Sequence, residues 1–176
     1  VGGYGICRLG NYANTQEQIL HDLGYNIEMI QVGVSERKLF GLLEMIKRVS
    51  NNAPWSRIIS AFRFGLAKLN ALDRIERVVQ KVRPVERIKG TANRLFTKAV
   101  NAIDRADDYD TLKKVQVDFI DQLNQIDKDT QYKPLIVGIT GEFYIVLEPF
   151  SNFDVESELG KLGVEVRRTT FISEWT

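Results

Sequence analysis

KPLIVGITGEFYIVLEPFSNFDVESELGKLGVEVRR, residues Lys133–Arg168, decides the fold, because it sets out a strand, a glycine turn, a loop, a helix and a second strand in one unit. Leu135–Ile139 is a short apolar run with the β-branched enrichment of a strand buried on both faces, closed by Gly138, Thr140 and Gly141. Asp154 is placed to N-cap a helix over Val155–Leu162, Gly163 to stop it, and Val164 and Val166 alternate with charges as a following strand should. The pattern is a βαβ unit. Its first loop, at the carboxyl end of the strand, lies where open α/β sheets hold ligands.

The opening residues repeat the theme. A glycine-rich loop runs into a helix near Asn14–Leu23, Gly24 stops it, and a strand follows at Ile27–Val32. The helix is expected to bury Ile19, Leu20 and Leu23 and to turn Gln16, Glu17 and Asp22 outward. Strands from Ile27, Leu135 and Val164 would share one parallel sheet. The expected fold class is therefore α/β: a Rossmann-like parallel sheet formed by 1–35 and 132–176, interrupted by a helical, bundle-like insertion over 36–131.

That insertion carries four apolar stripes at helical spacing. The first runs from Leu39 to Val49, the second from Ile58 to Val82, the third from Ile88 to Ile103 and the fourth from Leu112 to Ile126. Asn52 with Pro54 opens the second, Pro84 closes it, and the fourth opens near Asp110. Helices with such short joints pack in an up-and-down array. Charge is uneven along them. Pro54–Lys98 carries eleven basic residues against three acidic ones, whereas Asn101–Gln131 carries eight acidic against four basic. Two opposed solvated faces account for this; the sharper reading is an anion-binding face for the phosphates of a ligand such as coenzyme A, or for an acidic partner.

The 176 residues amount to about one domain, and with a formal charge of +1 and 44% hydrophobic residues neither disorder nor a general attraction to nucleic acid is indicated. No apolar run approaches a membrane span, and the first residues lack the regions of a secretory signal. A cytoplasmic protein is expected, and a chain that begins with Val is expected to be a piece of a longer polypeptide. The single cysteine, Cys7, excludes an internal disulfide. A thiol near a helix N-terminus and beside Arg8 has its thiolate favoured, which suits reactivity or metal ligation; a small buried cysteine suits the same position.

Other candidates are weaker. Gly138–Glu142 offers exposed amides but lacks the Walker lysine and the three-glycine dinucleotide fingerprint. Glu142 could serve as a base or an orienting carboxylate, and a cap or a surface charge suits the same position. His21 falls on a polar face and reads as solvated, and Trp55 and Trp175 read as packing residues.

The two ends of the chain, GICRLGNY with ILHDLGYNIEMI and the stretch from Lys133 to Trp175, resemble the 2-hydroxyglutaryl-CoA dehydratase D-component-like region of CoA-substrate-specific enzyme activase-related proteins. The family's GPCRFGxY is met by Gly5, Cys7, Arg8, Gly10 and Tyr12, with Ile6 and Leu9 departing from it. Its G-E-x-Y-V followed by P-F-x-N-F is met by Gly141, Glu142, Tyr144, Pro149, Phe150, Asn152 and Phe153, with Ile145 in place of valine. The resemblance implies a 2-hydroxyacyl-CoA dehydratase-like lyase component, with Cys7 as one ligand of an iron-sulfur [4Fe-4S] cluster whose other ligands lie outside this chain. Arg8, Gly141 and Glu142 would border the cofactor, acyl-CoA would be the ligand, and an ATP-dependent activase the partner. The isolated fragment would be inactive and hold no cluster. The alternative is a noncatalytic acyl-CoA-binding or protein-interaction domain using the same loops.

Overall fold

The computed structural model describes residues 9–27, 29, 43–44, 46–169, 171 and 173. Clustering of the backbone gives two compact units, Val1–Ile59 and Ser60–Thr176, and each is described by itself.

In the first unit α1 spans Leu9–Asp22, earlier than the sequence pattern places it, and ends where Gly24 takes a φ of 84°. Ala13 is buried, but Ile19 and Leu23 are exposed, so the helix turns a different face inward from the one expected. Ile27 and Met29 are not in a strand, and most of the expected strand Ile27–Val32 lies outside the described residues, as do Cys7 and Arg8. Asn51 and Asn52 both adopt left-handed φ values, a conformation asparagine tolerates, and this breaks the chain before Pro54 as the sequence suggests. Lys47 fixes the break, donating from Nζ to the Ala53 carbonyl at 2.6 Å while lying 4.8 Å over the Trp55 ring.

The second unit is built on three helices: residues 60–82 of α2 (Trp55–Val82), α3 (Thr91–Arg105) and α4 (Tyr109–Asn124). Their stripes meet in one core of Ala71, Ile75, Val79, Val82, Ala92, Ala99, Ile103, Leu112 and Leu123. Three of the four expected apolar stripes therefore converge, although Phe62 and Ile88 stay exposed. The joints are specified locally. Pro84 cannot continue α2, and the chain turns at once. Gly90 caps α3 with no side chain, so Glu86 substitutes: its carboxylate accepts from the Gly90 and Ala92 amides at 2.6 and 2.7 Å. Asp108 caps α4, accepting from the Thr111 amide at 2.7 Å.

After α4 come β1 (Ile136–Ile139), α5 (Phe143–Leu147), α6 (Val155–Lys161) and β2 (Glu165–Arg168). β1 and β2 pair in parallel, Ile136 opposite Glu165 and Ile139 opposite Arg168, so the βαβ reading of Lys133–Arg168 holds. The Rossmann-like fold does not. Among the described residues these are the only two strands, and the protein is mostly helical. A doubly wound fold needs a parallel sheet covered on both faces. Here the first strand is half exposed, with Leu135 and Ile136 open to solvent, and the helices rather than the sheet hold most of the apolar core. Asp154 is also not a conventional cap. It sits at φ 57° with no side-chain cap bond, and Asn152 Oδ1 accepts from the Val155 amide instead, at 3.3 Å.

Candidate functional site

Asp73, Glu76 and Gln80 along α2 and Arg83 just past its end are spaced by three, four and three, which puts them on one side of the helix. Ile75, Val79 and Val82 form a second stripe, which enters the helical core. The polar stripe is buried as well: Asp73, Gln80 and Arg83 are all less than one-tenth exposed. Each needs partners, because an unpaired polar group in such a place costs about 1–3 kcal/mol.

The partners come from β2 and α6. Arg168 in β2 donates from Nη2 to Glu76 Oε2 at 2.5 Å and from Nη1 to Glu156 Oε1 at 3.1 Å. Gln80 Nε2 donates to the other Glu156 oxygen at 2.8 Å. Arg168 thus bridges two carboxylates from two helices, and its guanidinium carbon lies 4.5 Å from the centre of the Phe171 ring, which Arg77 also covers at 3.9 Å. Asp73 is held separately, accepting from the Ser173 amide at 3.0 Å.

Burial pushes the Glu76 carboxyl up from its ordinary value, against the pull of Arg168 and with the help of Glu156 and Asp73. Burial alone would lower Arg168, but Glu76 and then Glu156 outweigh it and raise the guanidinium. A pair dominated by attraction would lower its acid, so desolvation governs Glu76. The bridge costs desolvation to bury and is therefore a tie between α2, α6 and β2 rather than a simple gain in stability.

Arg83 is treated differently. Its Nε donates to Asn93 Oδ1 at 2.7 Å and its Nη1 to the Glu156 backbone carbonyl at 3.3 Å. Asn93 is fixed in turn, its Nδ2 donating to Ser157 Oγ at 2.8 Å. Among the described residues no carboxylate lies within ion-pair distance of Arg83, and its Nη2 has no hydrogen-bond partner. Burial lowers its pKa, only partly offset by the more distant Glu156 and Glu76. Gly160 makes room for it: a methyl group there would collide with the Arg83 Cδ and Cγ carbons.

Arg83, Glu76, Glu156 and Arg168 line a cavity of about 250 Å³, whose other walls include Phe96, Val146, Pro149, Asn152 and Asp154. The chemistry it offers is a fixed guanidinium beside a partly apolar wall.

The candidates read from the sequence stand elsewhere or border this cavity. Glu142 caps α5, accepting from the Ile145 amide at 2.9 Å, and neither it nor Gly141 lines the cavity. His21 is solvated, as expected, with only a 3.9 Å approach to Asp22. The basic excess of Pro54–Lys98 does not form a single face. Arg83 points inward, Arg77 covers Phe171, Lys68 donates to the Asp104 carbonyl at 2.8 Å and Arg87 meets Asp127 at 3.4 Å. Pro149 and Asn152, from the motif that carries the dehydratase resemblance, do line the cavity. Glu76, Glu156 and Arg168 were missed, and the three-four-three spacing of polar residues along α2 is the signal that could have found the first. No protein-family model, curated protein or solved structure matches the chain. Among the described residues no helix is long and apolar enough to cross a membrane.

Proposed function

We propose that the unit Ser60–Thr176 is a binding module that captures the anionic head of a small molecule at Arg83. The observation that carries this reading is an arginine only 8% exposed as a residue, lining a cavity, with amide and carbonyl oxygens as its hydrogen-bond partners and no carboxylate in contact. A carboxylate or phosphate arriving there would add a charge-assisted pair to the two neutral hydrogen bonds that Arg83 already makes. The test is heteronuclear NMR of the Arg83 side-chain Nε–H in the whole chain, titrated with acetate and with inorganic phosphate at low ionic strength. A saturable shift of that resonance is expected, together with a shift of the neighbouring Asn93 side-chain amide that Arg83→Met abolishes. An Arg83 resonance indifferent to both anions would overturn the assignment.

A second reading is a component of a 2-hydroxyacyl-CoA dehydratase-like protein. What favours it is the resemblance at Cys7–Arg8 and at Gly141–Phe153, together with the position of Pro149 and Asn152 on the cavity wall. A [4Fe-4S] cluster requires several ligands, normally thiolates, and the chain has one cysteine. The described residues include no group of three or more metal-ligating side chains, so they do not by themselves fit a cluster site. Acyl-CoA and an ATP-dependent activase stay with this reading. Its test is iron content and thiol accessibility at Cys7 in a longer polypeptide carrying the chain: stoichiometric iron lost on Cys7→Ser supports it, and iron unchanged by that substitution removes Cys7 as a ligand.

A further inference from the structure

We propose that the Pro149–Asp154 loop extends the Arg83 cavity into a site for an amphipathic monocarboxylate, its head at Arg83 and its apolar chain across Phe150 and Phe153. The inference rests on the anion-binding reading and adds the class of ligand.

Phe150 and Phe153 are 91% and 88% exposed, so neither ring contributes to the core. Both line an open depression of about 580 Å³ whose rim includes Pro149 and Asp154, and those two residues also line the Arg83 cavity. The two spaces therefore adjoin, one lined by a cation and the other by two aromatic rings.

The loop holds the rings outward by design of its backbone. Asn152 Nδ2 donates to the Ile145 and Val146 carbonyls at 2.9 and 3.3 Å, and the Phe150 amide donates to Glu148 Oε1 at 3.2 Å. Phe153 and Asp154 both take a φ of 57°, a conformation that costs a bulky residue about 1–2 kcal/mol. Strain together with solvent-exposed aromatics is hard to account for by folding alone and is common at ligand clamps.

Charge and size choose the occupant. The inner chamber admits only a narrow group, which excludes a folded protein surface. Arg168 is already taken by Glu76 and Glu156, and Asp154 also lines the cavity, so among the described residues Arg83 is the one lining cation without a contact carboxylate and a single negative charge suits it better than the several phosphates of a nucleotide. A single carboxylate followed by an apolar chain satisfies both compartments.

The experiment is a titration of the whole chain with acetate, butanoate, hexanoate and octanoate, followed by the Arg83 Nε–H resonance. Each methylene that reaches the rings should tighten binding about fourfold. Phe150→Ser with Phe153→Ser, both at exposed positions, should leave the fold and acetate binding intact and make the series flat. A flat series in the wild type, or a steep one in the double variant, overturns the extension while leaving anion capture at Arg83 standing. No binding of any acid or of phosphate overturns both. Hexanol binding as tightly as hexanoate would make the rings a plain apolar patch, and self-association of the chain that the two serines abolish would assign that patch to a second copy; either result overturns the proposal.

Discussion

Arg168→Met tests the buried bridge directly. Methionine keeps the apolar stem and roughly the volume of arginine but removes the charge, leaving Glu76 and Glu156 facing each other without the cation that separates them. The arginine side chain is 8% exposed and the carboxylates 21% and 14%, so solvent screens the pair only weakly. Breaking one member of a buried pair costs about 3–5 kcal/mol, and the partial exposure of Glu76 puts the expected loss near the lower end. Against a typical stability of about 5–15 kcal/mol this is a large fraction, measurable by urea denaturation. The loss should also depend on pH. Glu76 already has a raised pKa, and removing Arg168 takes away the charge that holds it down, so it rises further. An acid whose folded pKa lies above its unfolded value loses stability as pH rises between the two, so the deficit relative to the wild type should be larger at pH 7 than at pH 5. The lost contact with Phe171 has no such dependence. A deficit below about 1 kcal/mol at pH 7, the range of an exposed pair, would refute the description of the bridge as buried. A deficit equal at the two pH values would place the cost in packing rather than charge.

Glu76→Gln keeps Glu156 on Arg168 and removes the carboxyl with the raised pKa, so the wild type should lose ground to this variant as pH rises from the ordinary value of 4.5; thermal midpoints across that range check it, and a constant difference would show an unperturbed carboxyl. Gly160→Ala should destabilise by about 1–3 kcal/mol in denaturant titration, because the added methyl meets the buried stem of Arg83 rather than a mobile tip. The same variant should weaken acetate binding at Arg83, whereas an unchanged stability would mean that the side chain moves aside freely. Phe153→Asn should raise the unfolding free energy slightly, by about 0.5–1 kcal/mol in denaturant titration, since asparagine accepts a left-handed backbone that strains phenylalanine; a drop in stability would show that the ring packs after all.

What the sequence made legible was local. The glycine at 163, the break after Asn52 and the stop at Pro84 each depend on one residue's backbone preference, and each stands where it was expected. The helical stripes that form the core were visible for the same reason, since a period of 3.6 needs no knowledge of the partner. The size of the sheet was not legible. A short apolar run such as Leu135–Ile139 reads identically whether two strands or six surround it, and only the pairing partners decide how much of it is buried. The N-cap position of α6 was legible at Asp154, but its bonding was not, because the cap bond depends on the local backbone, which gives it to Asn152. The site was hidden in a different way. Arg83 counted as one of eleven basic residues on an uneven stretch, and nothing in that count separates an arginine drawn inward from ten others.

The two arginines that line the cavity show why that distinction matters. They share an environment: α2, α6 and β2 surround them, and the same Glu156 serves both, through its carboxylate for Arg168 and its carbonyl for Arg83. For Arg168 the fold supplies two negative charges at contact distance, and the guanidinium is raised above its ordinary value. For Arg83 it supplies neutral oxygens, a glycine to make room and an asparagine held by Ser157, and the guanidinium is lowered. A carboxylate at Asn93 would have completed an ion pair with Arg83 by a change of one side-chain group. Without it Arg83 has no carboxylate at contact distance, and the more distant Glu156, Glu76, Asp154 and Glu86 only partly offset the cost of burying it, so an anion in the cavity can offset more. Ligand binding and folding are then coupled through one side chain, and a monocarboxylate that fills the site should stabilise the unit in proportion to the logarithm of its concentration once that exceeds the dissociation constant.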